Sequence, residues 1–210
     1  MVTQEAPSGI PEATRLRVVE RELRAVENEP DDGFALAEQA VAALLRALGR
    51  DVTDEHLVDT PRRVAASLIE LLTPREFSMT TFPNDDGYSD LVLVRDIPFH
   101  SLCQHHLLPF RGVAHIGYVP RDRLLGLSKL ARVLEMFSRD LQVQERLTTQ
   151  VANWLQDRLE PLGVGVVIEA EHLCMSLRGV QASGATTITS VFLGDLAEAG
   201  RYRSQFGLDG

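Results

Sequence analysis

The sequence contains little of what marks secreted or membrane proteins. Of its 210 residues only two are cysteines, Cys103 and Cys174, and a cytosolic chain is not expected to join them in a structural disulfide. No apolar run approaches the roughly 18 residues of a membrane-spanning helix. The N-terminus has no basic segment followed by an apolar one, so no secretory signal is visible. We therefore expect a cytoplasmic protein with no membrane partner.

The chain is also short of positive charge. It has 21 Lys and Arg against 30 Asp and Glu, which gives a formal net charge of -9. A general nucleic-acid binder is normally basic over its footprint, so we expect no nucleic-acid partner. Basic residues beyond position 60 still allow one local anion site, because net charge describes solubility and not a single pocket.

The N-terminal part of the chain has the pattern of helices. Residues 12–27 carry a loose apolar stripe, and residues 33–49 are rich in Ala and Leu and end at Gly49. A further helix is predicted from Thr60, a suitable N-cap, with Pro61 at its first position. The region before residue 60 is therefore predicted to be a helical extension.

The pattern changes near residue 90. Short segments rich in β-branched residues alternate in pairs with long amphipathic segments. This pattern predicts two strands at 90–99 and 112–120, two helices at 128–141 and 144–161, and two further strands at 163–172 and 185–194. This order indicates an α+β fold, an antiparallel sheet with helices on one face. The last residues, 197–210, have no strong pattern and are expected to be disordered.

Residues 100–110, HSLCQHHLLPF, bring one cysteine and three histidines into a short apolar stretch. Cys103 and His106 have the C-x-x-H spacing with which a thiolate and an imidazole bind one zinc ion from a turn. Cys174 follows a predicted strand that can return it to the same place. Three protein ligands with one open position is the arrangement of a catalytic zinc. The alternative is that both cysteines are small buried apolar side chains.

Two more histidines have the chemistry of proton transfer. His105 points away from its neighbour His106 if this segment is extended, and a pKa of about 6.5 suits an acid or base beside a metal. His172 lies two residues before Cys174, on the same face of the predicted strand. The alternative for each histidine is a hydrogen-bonded bystander.

Basic residues mark a candidate anion site. Ser128, Lys129 and Arg132 stand at a helix start, where backbone N–H groups attract anions, and Arg178 joins them if the strands meet. The alternative is a solvated basic face. Glu145 begins the next helix, where a buried carboxylate accepts hydrogen bonds from a base edge. An ordinary first-turn acid is the alternative there.

Three segments together resemble the type I GTP cyclohydrolases: HSLCQHHLLPFRGVAHIGYVP, LLGLSKLARVLEMFSRDLQVQERLT and GVGVVIEAEHLCMSLRGVQ. The resemblance runs in register from about Thr60 to Gly194. It implies a tunnelling fold, in which the sheets of neighbouring subunits join into a barrel, and a homo-oligomer, a decamer with sites between subunits. It divides the chain into an N-terminal extension (1–59), a catalytic domain (60–196) and a tail (197–210).

The family opens the guanine ring of GTP at C8, releases formate and forms 7,8-dihydroneopterin triphosphate for folate or pterin synthesis. The resemblance therefore implies GTP as substrate and Zn2+ as cofactor. It assigns zinc ligation to Cys103, His106 and Cys174, and proton transfer to His105 and His172. The substrate contacts that it implies are Gln144 and Glu145 for guanine, Ser128 for ribose, Lys129, Arg132 and Arg178 for triphosphate, and Arg63 from a neighbouring subunit.

Three places depart from the family pattern. Gln104 replaces the usual Glu, Asp140 stands where a base is expected, and Ala182 and Ser183 stand where Lys-Pro is common. None of these is a predicted ligand or proton-transfer residue. Besides an ordinary GTP cyclohydrolase, two alternatives are a paralog that stops at a ring-opened intermediate or serves a specialised pterin or deazapurine pathway, and a non-catalytic subunit.

Overall fold

The computed structural model describes residues 30–198 and 200–208, and the helix predicted at residues 12–27 lies outside them. The chain forms two compact units, with the boundary after Ile69. In the described ranges no helix is long and apolar enough to cross a lipid bilayer. The division into an extension, a catalytic domain and a tail stays a prediction.

Two helices begin in the first unit. Helix α1 spans Pro30–Ala47, and Gly49 follows it with φ 73°, the left-handed conformation that glycine adopts after a helix end. Helix α2 spans Thr60–Leu72 and continues into the second unit. It begins at Thr60, the residue predicted to be its N-cap, and Pro61 is its second residue. A proline in the first turn of a helix loses no intrahelical hydrogen bond.

The second unit contains seven strands: β1 Thr81–Pro83, β2 Val92–Cys103, β3 Pro109–Val119, β4 Arg123–Leu125, β5 Leu141–Gln142, β6 Gly163–His172 and β7 Thr187–Gly194. Five of them form one sheet in the order β5-β2-β3-β6-β7. The four long strands pair antiparallel, and β5 pairs parallel with the end of β2. β1 and β4 form a small separate sheet. The three short strands were not predicted, since two or three residues show no periodicity.

Two long helices, α3 Leu127–Ser138 and α4 Gln144–Leu159, pack on one face of the main sheet. Each presents an apolar stripe at helical spacing, and alternate residues of the central strands face it. The fully buried residues of this core include Ala114, Ile116, Val164, Val166, Ile168, Leu130, Val133, Leu147, Val151 and Leu155. The predicted α+β fold, with two strands, two helices and two strands, is confirmed.

The segment after β7 differs from the expected disordered tail. The short helix α6, Asp195–Glu198, and two 3-10 turns place Tyr202 and Phe206 in a second buried cluster with Val119 and Val167. The Phe206 ring fills the space over Gly165, where an added Cβ would lie 2.5 Å from it. Two isolated aromatic residues give no sequence period, so the pattern could not reveal this packing.

We expect Phe206→Ala to lower the free energy of unfolding by about 3 kcal/mol, because it empties a fully buried aromatic site. The neighbouring exposed residue supplies a control: Gln205→Ala should change stability by less than about 0.5 kcal/mol. Urea unfolding of both variants checks this. Equal midpoints for the two variants would show that the segment adds nothing to the fold.

Candidate metal centre

A tight turn at residues 104–108 joins β2 to β3 and carries His106, and the other predicted ligand of this segment, Cys103, is the last residue of β2. The backbone N–H groups of His106 and Leu107 donate to the Cys103 carbonyl at 3.3 and 2.9 Å, and the Cys103 N–H donates to the Leu108 carbonyl at 2.9 Å. Leu107 takes φ 54°, a left-handed conformation that is uncommon outside glycine. This winding of the backbone brings side chains three residues apart onto one side.

Strand β5 holds the turn from its other side. Cys103 pairs with Gln142, and the Gln104 N–H donates to the Gln142 carbonyl at 3.0 Å. The Gln142 side chain is 1% exposed, and its amide donates to the Phe137 carbonyl and to Gln150 Oε1, both at 2.8 Å. Because these buried polar groups are paired, β5 is fixed in place and fixes the turn.

The third predicted ligand arrives from β6. That strand ends at His172, and the one-turn helix α5, Leu173–Ser176, carries Cys174. The expectation that His172 and Cys174 share a strand face is therefore wrong, since the chain turns helical between them. The helical turn nevertheless brings the Cys174 thiol to the end of β2.

One donor atom each of Cys103, His106 and Cys174 lies within 4.8 Å of the other two. Cys103 Sγ stands 4.0 Å from His106 Nδ1. Zinc bonds of about 2.0 to 2.3 Å in a tetrahedron place ligand atoms roughly 3.5 to 3.8 Å apart, so only a small movement is needed. Two thiolates and one imidazole form a donor set that suits zinc, and three protein ligands leave one position open.

The pKa of the Cys174 thiol depends on its burial and on its neighbours. Burial raises the pKa of Cys174 and the neighbouring Cys103 thiol raises it further, while the charge of Arg178 acts in the opposite direction. Without metal, Cys174 therefore keeps its proton near neutral pH. Zinc binding requires the thiolate and displaces that proton.

His105 lies beside the metal centre. Its Nδ1 is 3.8 Å from Cys103 Sγ, and its ring meets that of His106 edge-on with centroids 6.3 Å apart. The segment is a turn and not an extended strand, so His105 does not point away from the cluster. An exposed imidazole at this distance is suited to exchanging protons with a substrate at the centre.

Gln144, the first residue of α4, is almost fully buried at 1% exposure. Its Nε2 donates to the carbonyls of Ile168 and Thr187, both at 2.9 Å, and contacts Thr189 Oγ1 at 3.1 Å. Its Oε1 lies 2.8 Å from His172 Nε2. Both polar atoms of the Gln144 side chain, a predicted guanine contact, therefore already have protein partners.

The imidazole of His172 is held between neighbours. Its ring stacks on Phe110 with centroids 4.6 Å apart and planes within 1° of parallel. Phe110 is the cross-strand partner of His172 in β3, a contact that depends on sheet register and was not predicted. Burial lowers the pKa of His172, and the nearby Glu145 carboxylate only partly offsets this. His172 is therefore a neutral imidazole near pH 7 and lies close to Glu145.

The predicted anion contacts divide between two places. Arg178 lies close enough to Cys174 to act on its pKa. Ser128 and Arg132 instead line a cavity of about 410 Å³ between α3 and β2, where Arg132 donates to Glu135 at 2.9 Å. Within the described residues, none of the three metal-binding side chains lines that cavity.

Helix α3 sets the distance between its first turn and the metal centre. Just before the helix, the Leu125 N–H donates to the Tyr118 hydroxyl at 2.8 Å. Because Tyr118 pairs with Val92, this bond places the start of α3 near the beginning of β2. At its end, the Ser101 hydroxyl donates to the Asp140 carbonyl at 3.3 Å, next to the metal centre. Twelve helical residues span about 18 Å. One chain therefore does not bring Lys129, in the first turn of α3, to the metal centre.

The remaining predicted positions lie at the surface. Arg63 is on α2 in the first unit and pairs with Asp59 at 2.9 Å. Asp140, one of the departures from the family pattern, is exposed and its Oδ1 accepts from the Leu141 N–H at 2.6 Å. A carboxylate there has a local structural role, because it closes the connection between α3 and β5.

The ends of β2 and β6 bring a Cys-His-Cys group together with two further histidines, His105 and His172, and a carboxylate, a set of side chains typical of a zinc hydrolase. The family model described as GTP cyclohydrolase I matches residues 37–208, and the chain belongs to this family. It is 48% identical to GTP cyclohydrolase 1 of a Synechococcus species, over 90% of this chain and 86% of that one. It is 51% identical to the enzyme of Allorhizobium ampelinum, over 76% and 82%. For the enzyme of Brucella canis the identity is 44%, over 92% of both chains.

Proposed function

We propose that this protein hydrolyses GTP at C8 of guanine, releases formate and forms 7,8-dihydroneopterin triphosphate. The observation that carries the proposal is the grouping of a metal-binding Cys103, His106 and Cys174 with His105, His172 and Glu145 in a chain of the GTP cyclohydrolase I family. We place the reaction in the cytoplasm, where reducing conditions keep the two cysteines as thiols.

The metal-binding group is proposed to hold zinc. When bound, zinc supplies the Lewis acidity that lowers the pKa of water toward about 7 and so provides a nucleophile at neutral pH. His105, 3.8 Å from Cys103 Sγ, is placed to exchange protons with the reacting base. His172 is a neutral imidazole near pH 7, because burial lowers its pKa, and it accepts a proton during ring opening.

Glu145 is proposed to select guanine. It is exposed in the first turn of α4, and its charge acts on His172. A carboxylate there accepts hydrogen bonds from the N1–H and 2-amino groups of guanine. Adenine lacks both donors, so its binding would leave the carboxylate unpaired and would be disfavoured by several kcal/mol.

The triphosphate is proposed to be bound partly by a second copy of the chain. Arg178 lies beside Cys174 of the metal centre, whereas Ser128 and Lys129 in the first turn of α3 are about one helix length away and Arg132 is about half a helix length away. A neighbouring subunit that presents its α3 start would complete the site, and Arg63 is separately proposed to reach a site from a neighbouring subunit. We therefore propose a homo-oligomer, a decamer as in the family resemblance, with sites between subunits.

A mixing experiment tests this shared site. We expect Lys129→Ala and Cys174→Ala each to be inactive alone, and co-expressed mixed oligomers to recover up to about one quarter of wild-type activity, because a quarter of the sites combine two intact halves. The control pair, Cys103→Ala with Cys174→Ala, damages the same half and should not recover. No recovery in the first pair would contradict the shared site.

Product analysis tests the reaction itself. Zinc-replete protein is incubated with GTP, and products are identified by liquid chromatography with mass detection while formate is assayed. We expect dihydroneopterin triphosphate with one formate per GTP consumed. A ring-opened product would instead favour the diverged paralog, with Gln104→Glu the first reversion to make. If protein with one zinc per chain formed neither of these products, the proposal would be excluded.

A further inference from the structure

We propose that Gln144 is a positioning residue that holds His172 as the tautomer with hydrogen on Nε2, and that it does not read the guanine base. The inference rests on the proposed function for the part that His172 plays in the reaction. It replaces the family-based expectation that Gln144 and Glu145 recognise guanine together.

The orientation of the Gln144 amide follows from its partners. Its nitrogen lies 2.9 Å from two backbone carbonyl oxygens, those of Ile168 in β6 and Thr187 in β7. Carbonyl oxygens only accept, so the amide group must present its NH2 to them. The flipped amide would place three oxygens together in a buried space. The Gln144 oxygen therefore faces His172.

This orientation determines the proton on His172. Nε2 of His172 lies 2.8 Å from the Gln144 oxygen, which has no hydrogen to donate, so Nε2 is the donor. In a neutral imidazole the other nitrogen, Nδ1, then carries the lone pair. The stacked Phe110 ring fixes the plane of the imidazole. His172 is thus preset as a proton acceptor at one atom.

Thr189 and Thr148 extend the buried hydrogen-bond network around Gln144. The Thr148 hydroxyl donates to the backbone carbonyl of Gln144 at 2.7 Å and lies 2.6 Å from the Thr189 hydroxyl, which is 3.1 Å from Gln144 Nε2. Thr148 is itself fully buried. A base that bound the Gln144 NH2 group would have to break at least one of these buried hydrogen bonds and would leave a buried protein oxygen without that partner.

Its neighbour Glu145 is in the opposite situation. It is exposed, whereas Gln144 is 1% exposed, because adjacent helical residues point in different directions. The two residues therefore have separate tasks. Glu145 is free to meet the substrate, and the Gln144 side chain acts on the substrate only through His172.

Nitrogen-15 NMR of histidine-labelled, sedimented protein tests the tautomer directly. The spectrum is recorded without GTP at a pH where the imidazoles are neutral, and the His172 signals are those missing from His172→Asn. We expect a protonated Nε2 and an unprotonated Nδ1. A protonated Nδ1 in the wild-type protein would overturn the inference, whether or not any variant folds.

Kinetics of Gln144→Met separate positioning from base reading. We expect kcat to fall about 10- to 100-fold, as for other residues that orient a catalytic group, with KM for GTP within about twofold of wild type. The His172 signals should then show a mixture of tautomers. Gln156→Met, the same change at the far end of α4, is the control and should alter neither kcat nor the His172 signals. A raised KM with unchanged kcat would mean that Gln144 reads the base.

The two experiments fail in different ways. If no cyclohydrolase activity exists, the proposed function fails, while a protonated Nε2 of His172 still supports the positioning by Gln144. If activity is present and His172 is protonated on Nδ1, the proposed function survives and the inference does not.

Discussion

Cys174→Ala should bind no stoichiometric zinc and should turn over GTP at least about 1,000-fold more slowly than the wild-type protein. Removing a residue that only orients a metal ligand costs about 10- to 100-fold, so loss of a ligand should cost more. Cys103 and His106 alone leave two protein ligands, which are too few to hold the ion in its usual tetrahedral site. Zinc content by mass spectrometry and the rate of formate release measure the two effects.

The residue that follows Cys174 supplies the matched control. Met175 is on the same one-turn helix and is 39% exposed, and it offers no zinc ligand in the described Cys-His-Cys group. Met175→Ala should therefore keep its zinc and most of its activity. Far-UV circular dichroism should be the same for both variants, because Cys174 is only partly buried. A Cys174→Ala protein with one zinc per chain would contradict the ligand assignment.

Glu145→Gln should lower kcat/KM for GTP by about 1,000-fold, since a site built around a carboxylate loses much of its affinity when the pairing is broken. The amide keeps the shape of the side chain, but it presents an NH2 group and only one oxygen to the two donors of guanine. The change therefore alters recognition with little effect on the fold. Steady-state kinetics with GTP and with ITP, which lacks the 2-amino group, measure the loss.

The preference for GTP over ITP is the sharper readout of this variant. The wild-type protein should strongly prefer GTP, and Glu145→Gln should discriminate much less. Asp157→Asn removes the same charge from an exposed position near the other end of α4, and it should change neither kcat/KM for GTP nor the preference for GTP over ITP. An unchanged GTP preference in Glu145→Gln would place base recognition elsewhere.

The grouping of Cys103, His106 and Cys174 could be predicted because its signal is local. Cys103 and His106 are three residues apart, and a turn of the observed kind is enough to bring such a pair together. Cys174 was identifiable because it is the only other cysteine in the sequence. The long strands and helices were also accessible, since burial on one side imposes a period of two or of 3.6 residues.

The contacts that could not be predicted from the sequence depend on the register of paired strands and on which side chains become buried between elements. The stacking of Phe110 on His172 exists only because β3 and β6 pair at these two positions. The burial of Gln144 follows from the meeting of α4 with β6 and β7, and a glutamine at a helix start reads as an exposed residue. For the same reason, the distance between the first turn of α3 and the metal centre appears only in the folded chain.

The central claim is that GTP turnover depends on a metal held by Cys103, His106 and Cys174. The most direct test is to strip the protein with a chelator, confirm by circular dichroism that it is folded, and titrate zinc back while measuring formate release from GTP. The account predicts no release without metal and a rise in activity that saturates at one zinc per chain. Full turnover of GTP by protein shown to contain no metal would contradict it.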